Sequence, residues 1–187
     1  DDSATNAVML DGRWMMHAVI VVESIWGNTE SIAREIAAGL GEGRIDVVAA
    51  ASAPSALEGD VDVLIVGGPT HAFSMSTTRT RDAARQQGAV AIPARGIREW
   101  IAGHASPRRA IPVATFDTRV VVPRLPGSAA KKAMRRLLAL GYRPAAEPEA
   151  FGVQGYAGPV ADGELERARR WGAELRQRVR DVSAASS

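Results

Sequence analysis

The chain contains no cysteine. That excludes disulfides, Cys-ligated zinc, iron–sulfur clusters and thiol catalysis together, and it fits a reducing cytoplasm. No apolar run approaches the ~20 residues needed to span a bilayer. Residues 1–14 lack the basic and long apolar regions of a secretory signal. The formal net charge is only +2, which argues for neither a nucleic-acid nor a membrane partner. There is no internal repeat and no long low-complexity segment.

What is present fits one globular domain: 187 residues, 46% apolar and 24% charged. Apolar β-branched runs alternate with helical patterns. Strands are expected at 17–23, 44–50, 61–68 and 109–116, with a Pro-interrupted edge strand over 142–153. Pro112 belongs near the start of its strand or at a bulge, since it cannot donate to a ladder. Between the strands, Thr29–Leu40 has Ile32, Ile36 and Leu40 at helical spacing, and Gly41 stops it. Residues 97–104 and 127–141 also read as helices, the latter with Ser128 as N-cap and Gly141 as its end. Asp162 is expected to cap a final helix with Leu165, Ala168, Leu175 and Val179 on one stripe. Such alternation implies a parallel sheet with helices on both faces. Ligands of open α/β sheets sit beyond the carboxyl ends of the strands. The loops at 23–29, 67–79 and 116–127 are therefore the candidate site.

The first loop lies in "VVESIWGNTE" (21–30), a stretch without Lys or Arg. A helix N-terminus offers unpaired N–H groups and a positive dipole end. Ser24, Asn28 and Thr29 add short polar side chains, and Gly27 permits close backbone approach. The stretch matches neither a Walker A loop, which needs Gly-Lys-Ser/Thr, nor the Gly-x-Gly-x-x-Gly fingerprint. Two readings stand: a single terminal phosphate held by neutral donors, or Ser24 and Asn28 as simple helix caps.

"ESIWGNTE" resembles the phosphate loop of flavodoxins, and its Trp26 is closest to the flavodoxin domains of flavodiiron proteins. "IVGGPTHAF" (65–73) is similar to the family's second flavin loop, and "GPVADGELERARRWGAEL" to its last helix. The resemblance covers about residues 16–180. It implies a three-layer α/β fold with a five-stranded parallel sheet in the order 2-1-3-4-5. It divides the chain into an N-terminal arm or cloning remnant over 1–15 and a flavodoxin-like domain over 16–183. It implies FMN as cofactor. Ser24, Ile25, Trp26, Gly27, Asn28 and Thr29 would hold the phosphate. Pro69, Thr70, His71, Ala72 and Phe73 would line the ring, and Thr115, Phe116, Asp117, Thr118 and Arg119 would supply the third loop. No catalytic residue and no metal ligand is implied.

Two features depart from the family. The third loop, "FDTRVVVPRLPGS", carries no Tyr or Trp, which leaves Trp26, His71 and Phe73 as aromatic partners. The rim is also basic, with Arg79, Arg81, Arg85, Arg119 and Arg124 offset only by Asp82 and Asp117. Arg79, Arg119 and Arg124 near the ring would ease the last reduction of the flavin. Lys131, Lys132, Arg135 and Arg136 read as a solvated helix face, because no aromatics are interleaved with them. The resemblance implies an electron carrier acting with redox partner proteins, cytoplasmic, as a monomer or weak dimer. An NAD(P)H-dependent quinone or flavin reductase, or an interaction module that has lost FMN, are the alternatives.

Overall fold

The computed structural model describes residues 8–10, 13–122 and 126–185. In chain order it contains β1 (Val8–Leu10), β2 (Arg13–Val22), α1 (Asn28–Leu40), β3 (Gly43–Ala49) and β4 (Val63–His71). Next come β5 (Ser74–Met75), α2 (Thr78–Gln86), α3 (Ile97–Ala102), β6 (Pro112–Val120) and α4 (Ala129–Ala139). β7 (Arg143–Pro144), β8 (Glu149–Val153) and α5 (Glu164–Ala185) complete it.

β2 pairs in parallel with β3 on one side and β4 on the other; β4 pairs with β6, and β6 with β7 and β8. Taking β7 and β8 as one interrupted edge strand, the parallel order is the expected 2-1-3-4-5. β1 adds an antiparallel segment, with Val8 opposite Met15. β2 therefore starts at Arg13, four residues before its apolar run, and the expected arm boundary at 15/16 falls inside a strand. β4 and β6 both run past their expected ends, and Pro112 is the first residue of β6, where its missing N–H leaves no gap in the ladder.

The sheet is buried on both faces, which is why its strands read as continuous apolar runs. One core joins Ile20, Ile65, Phe116 and Phe151 to α1 and α5 through Ile32, Ile36, Trp171 and Leu175. The other joins Val21, Leu64, Val66 and Val113 to α3 and α4 through Trp100, Ile101, Ala133 and Leu137. α1 and α5 approach closely because glycines face each other's backbone: a methyl on Gly39 would overlap the Arg169 carbonyl. The expected caps divide. Ser128 caps α4 by accepting from the Lys131 N–H at 3.0 Å. α5 starts at Glu164, which leaves Asp162 in the preceding turn rather than at the cap.

Candidate functional site

The loop from β2 to α1 is built to present donors. α1 begins at Asn28, and its N-cap is Gly27 in the left-handed region (φ 86°), with no side-chain cap. Among the described residues, the backbone N–H groups of Ile25, Trp26, Gly27, Asn28 and Thr29 take no hydrogen-bond partner. Inward of these, the Glu30 N–H goes to Ser24 Oγ at 3.3 Å and the Ser31 N–H to the Gly27 carbonyl at 2.9 Å. Consecutive free amides at a helix N-terminus form a concave anion nest. Gly27 faces open space: a methyl there meets nothing within 4 Å.

α4 shows what a saturated helix start looks like in the same protein. The Ala129 N–H donates to Thr70 Oγ1, Ala130 to Asp117 Oδ2 and Lys131 to Ser128 Oγ. That helix has no donors to spare, whereas α1 does.

The side chains of the first loop divide between structure and site. Ser24 acts as the internal cap just described. Asn28 Nδ2 donates to the Ala157 carbonyl at 3.1 Å, which ties α1 to the loop after β8. Thr29 is buried, and its hydroxyl lies 2.8 Å from that of Thr118 at the end of β6. Two hydroxyls that share one bond still hold one uncommitted proton. The Thr29–Thr118 pair therefore offers an anion one more neutral donor beside the nest.

The second loop is a strained hairpin. Thr70 pairs with Met75 and His71 with Ser74, so Ala72 and Phe73 form a two-residue turn. Both have positive φ, 44° and 69°. Such turns normally use Asn-Gly, because side chains cost energy there. Gly127 packs against the Phe73 backbone, where a methyl would overlap the Phe73 carbonyl.

A buried polar network fixes this hairpin from beneath. Glu23, two residues before the nest, is 1% exposed. It accepts from the Ser76 hydroxyl and from the Ile97 N–H at 2.9 Å. Arg81 reaches Ser76 Oγ at 2.8 Å and Glu99 at 3.1 Å, while Arg98 donates to Ser74 Oγ and to the Met75 and Ser76 carbonyls. Burial pushes the Glu23 carboxyl above its ordinary range, against the pull of Ser76, Ile97 and Arg81. Arg81 is thus a core residue, 2% exposed, and not the rim cation its position in the sequence suggested.

The third loop requires further corrections. Thr115, Phe116 and Asp117 are fully buried and do not reach the cleft. The period of two explains why. Thr115 and Asp117 point to α4, the former donating to the Ala130 carbonyl. Phe116 points the other way, into edge contacts with Phe151 and Trp171. Of the five expected residues, Thr118 and Arg119 line the cleft, joined by Val120 and Pro126. Arg119 is held by buried Asp117, with Nε at 3.0 Å from Oδ1 and Nη2 at 3.2 Å from Oδ2, so its charge is largely matched. Arg85 is paired with Asp82 at 2.9 Å, and Arg124 lies outside the described residues.

Together these loops enclose a cavity of about 290 Å³. Trp26, Pro69, Ala72, Phe73 and Val120 give it apolar walls, and Thr29, Thr118 and His71 give it polar ones. Burial, and secondarily the charge of Arg81, holds His71 below the usual histidine range and so favours its uncharged ring. Sequence reasoning missed Tyr156, which lines the cleft from the loop after β8 and is 71% exposed. Its signal was the glycine-flanked turn "QGYAGP" beyond the fifth strand. It also missed α2, whose Ala84 packs on Ile25 and closes the cleft from the side.

A parallel 2-1-3-4-5 sheet, helices on both faces and a ligand cleft at the carboxyl ends of its middle strands define a flavodoxin-like fold. Solved structures share it. Oxidised flavodoxin 1 from Bacillus cereus superposes with a TM-score of 0.62 at 19% identity, covering 86% of this chain and 97% of that one. A flavodoxin from the domain Archaea gives 0.59 at 17% identity, over 88% and 99% of the two chains. The Flv1 flavodiiron core from Synechocystis gives 0.57 at 15% identity, over 89% of this chain and 36% of that one. No family model and no curated protein sequence matches the chain. Among the described residues no helix is long and apolar enough to cross a membrane.

Proposed function

We propose that this chain binds FMN and works as an electron carrier between cytoplasmic redox partner proteins, as a monomer or weak dimer. The observation that carries the reading is the row of free amides from Ile25 to Thr29 opening onto an apolar cleft. A phosphate needs several donors, and neutral ones suffice at a helix N-terminus. A planar, largely apolar ring needs walls of the kind that Trp26, Ala72, Phe73 and Tyr156 supply. When bound, FMN supplies one- and two-electron chemistry; the protein binds, orients and shields it. Glu23, Ser76 and Arg98 hold the second loop in place, and His71, whose uncharged ring burial favours, can donate or accept a hydrogen bond at the cleft.

The test is a titration of the apoprotein with FMN and with riboflavin, read by tryptophan fluorescence. FMN is expected to bind at least ~10-fold more tightly, since each hydrogen bond to the charged phosphate is worth ~1.5–3 kcal/mol. Quenching should be smaller in Trp26→Phe, because Trp100 and Trp171 are buried away from the cleft. Equal affinity for the two ligands would remove the phosphate site and the proposal with it. Oxidation of NADPH by a quinone without an added reductase would instead make the chain a reductase on the same fold.

A further inference from the structure

The opposite end of the sheet holds a second constellation, which the flavin cleft does not use. His17 sits in β2, seven residues before Ser24, and strands rise about 3.3 Å per residue, so it lies roughly 20 Å from the nest. It is 5% exposed, and its ring stands between two carboxylates. Nε2 is 3.2 Å from Asp46 Oδ2 on the edge strand β3. Nδ1 is 3.2 Å from Asp60 Oδ1, yet it has no hydrogen-bond partner among the described residues. Glu58 is the third member: one ligand atom each from His17, Glu58 and Asp60 lie within 4.8 Å of one another.

We propose that His17 Nδ1, Asp60 and Glu58 bind one divalent cation of the zinc type, with Asp46 orienting the imidazole from behind. Four observations carry this. The hydrogen bond from Nε2 to Asp46 fixes the tautomer that leaves a lone pair on Nδ1, as second-shell carboxylates do for metal-binding histidines. That lone pair then faces a carboxylate oxygen at 3.2 Å, a repulsive contact that a cation bound between the two atoms would relieve. Ligands at 2.0–2.2 Å around a tetrahedral ion are themselves roughly 3.3–3.6 Å apart, so the His17–Asp60 spacing already suits the ion, and Glu58 lies within 4.8 Å to close on it. Finally, the charge is unbalanced. Asp46, Glu58 and Asp60 face a single guanidinium, Arg44, which contacts Asp46 at 3.0 Å, Glu58 at 2.9 Å and Asp60 at 4.0 Å. Three carboxylates against one guanidinium leave two negative charges, the complement of a divalent ion.

The remaining charged neighbours are accounted for. Asp62 accepts from the His17 backbone N–H at 2.8 Å, and Arg109 donates to the Gly59 and Val61 carbonyls. Glu58 and Arg44 are exposed, and a groove of about 380 Å³ lined by His17, Arg44, Asp46 and Glu58 gives an ion access. One imidazole with carboxylates favours zinc, manganese or iron over calcium and magnesium. A bound ion would clip β3 and the 58–60 turn to β2.

The experiment is a Co²⁺ titration of tag-free full-length protein, followed by visible absorption, with Zn²⁺ as competitor. One equivalent of Co²⁺ should bind with d–d bands that Zn²⁺ abolishes. His17→Gln should remove binding, and Asp60→Asn should weaken it about tenfold or more. Asp46→Asn should weaken it by roughly 10-fold through the second shell. Arg44→Gln should tighten binding, because it removes the competing cation; all four are compared by circular dichroism to establish folding. No stoichiometric Co²⁺ binding by wild type would overturn the proposal. Unchanged binding in Asp60→Asn, or weaker binding in Arg44→Gln, would overturn it equally.

Discussion

The hydroxyls of Thr29 and Thr118 meet 2.8 Å apart, and this one contact joins the start of α1 to the end of β6 across 89 residues of sequence. It closes the cleft between the first and third loops. Because both groups are buried, Thr29→Val leaves the Thr118 hydroxyl unpaired and should cost about 1–3 kcal/mol of stability. Replacing both by Val removes the unpaired group as well, so the double variant should recover much of that loss in urea unfolding. FMN affinity behaves differently. It should fall in the double variant as in the single one, while riboflavin affinity stays near wild type. Recovery of FMN affinity along with stability would make the pair structural only.

The Ala72–Phe73 turn stores strain in the wall of the cleft. A non-glycine residue in the left-handed region costs about 1–2 kcal/mol. Ala72→Gly should therefore raise unfolding free energy by about 1 kcal/mol, measured by urea denaturation. Gly127→Ala should do the reverse, by about 2 kcal/mol or more, since Gly127 has φ 91° and presses on the Phe73 backbone. If Ala72→Gly also weakens FMN binding, the strained turn is part of how the wall is held against the ring.

His104 and Tyr142 set a stability window. His104 Nε2 lies 2.7 Å from the Tyr142 hydroxyl, under the ring of Trp100. Burial holds His104 below the usual histidine range, more than the nearby Pro54 carbonyl raises it. Burial also pushes Tyr142 from 10.0 up to about 12. On the acid side the unfolded chain takes up a proton near pH ~6.5 that folded His104 refuses, so stability is lost as pH falls below that value. On the alkaline side the unfolded tyrosine ionises first, so stability is lost as pH rises from about 10 towards 12. His104→Gln should flatten the acid limb and Tyr142→Phe the alkaline one, in unfolding measured across pH. A parallel displacement of the whole curve by one variant would show that the group it replaces does not titrate on unfolding.

The sheet and its helices were legible because their causes are local. The β-branched runs at 17–23 and 61–68 state burial on both faces, Gly41 and Ser128 mark helix ends, and Pro112 belongs near a strand start or at a bulge. The candidate site was legible where it coincides with a helix start, as at Gly27–Thr29. What stayed hidden depends on partners far along the chain. Nothing near Arg81 states that Glu23 and Glu99 will bury it, so it reads as a surface charge. Phe116 and Thr118 project to the same side of β6, but Phe116 lies two residues deeper and ends in the core against Phe151 and Trp171. Tyr156 reaches the cleft from a loop that Asn28 ties to α1 through the Ala157 carbonyl, a contact spanning 129 residues.

Asp117 and Arg119 change what the basic rim does to a bound flavin. A lone arginine ~8 Å from the ring, at an effective dielectric of ~20, would favour the reduced anionic form by about 2 kcal/mol before screening. Arg119 is not alone: its guanidinium is held by both oxygens of Asp117, which is itself anchored by the Ser128 hydroxyl at 2.5 Å and the Ala130 N–H at 3.1 Å. The pair presents little net charge, so the easing of the last reduction expected from Arg119 should be mostly cancelled. The prediction is a pattern of signs. Asp117→Asn exposes the cation and should move the second one-electron potential to a less negative value. Arg119→Gln leaves the buried carboxylate, still stabilised by Ser128 and the α4 N-terminus, and should move it to a more negative one. The double variant should return close to wild type. Anaerobic redox titration of the FMN-loaded protein at low ionic strength reads all three. Shifts of the same sign in both single variants, or none in either, would place the pair outside the electrostatic reach of the cofactor.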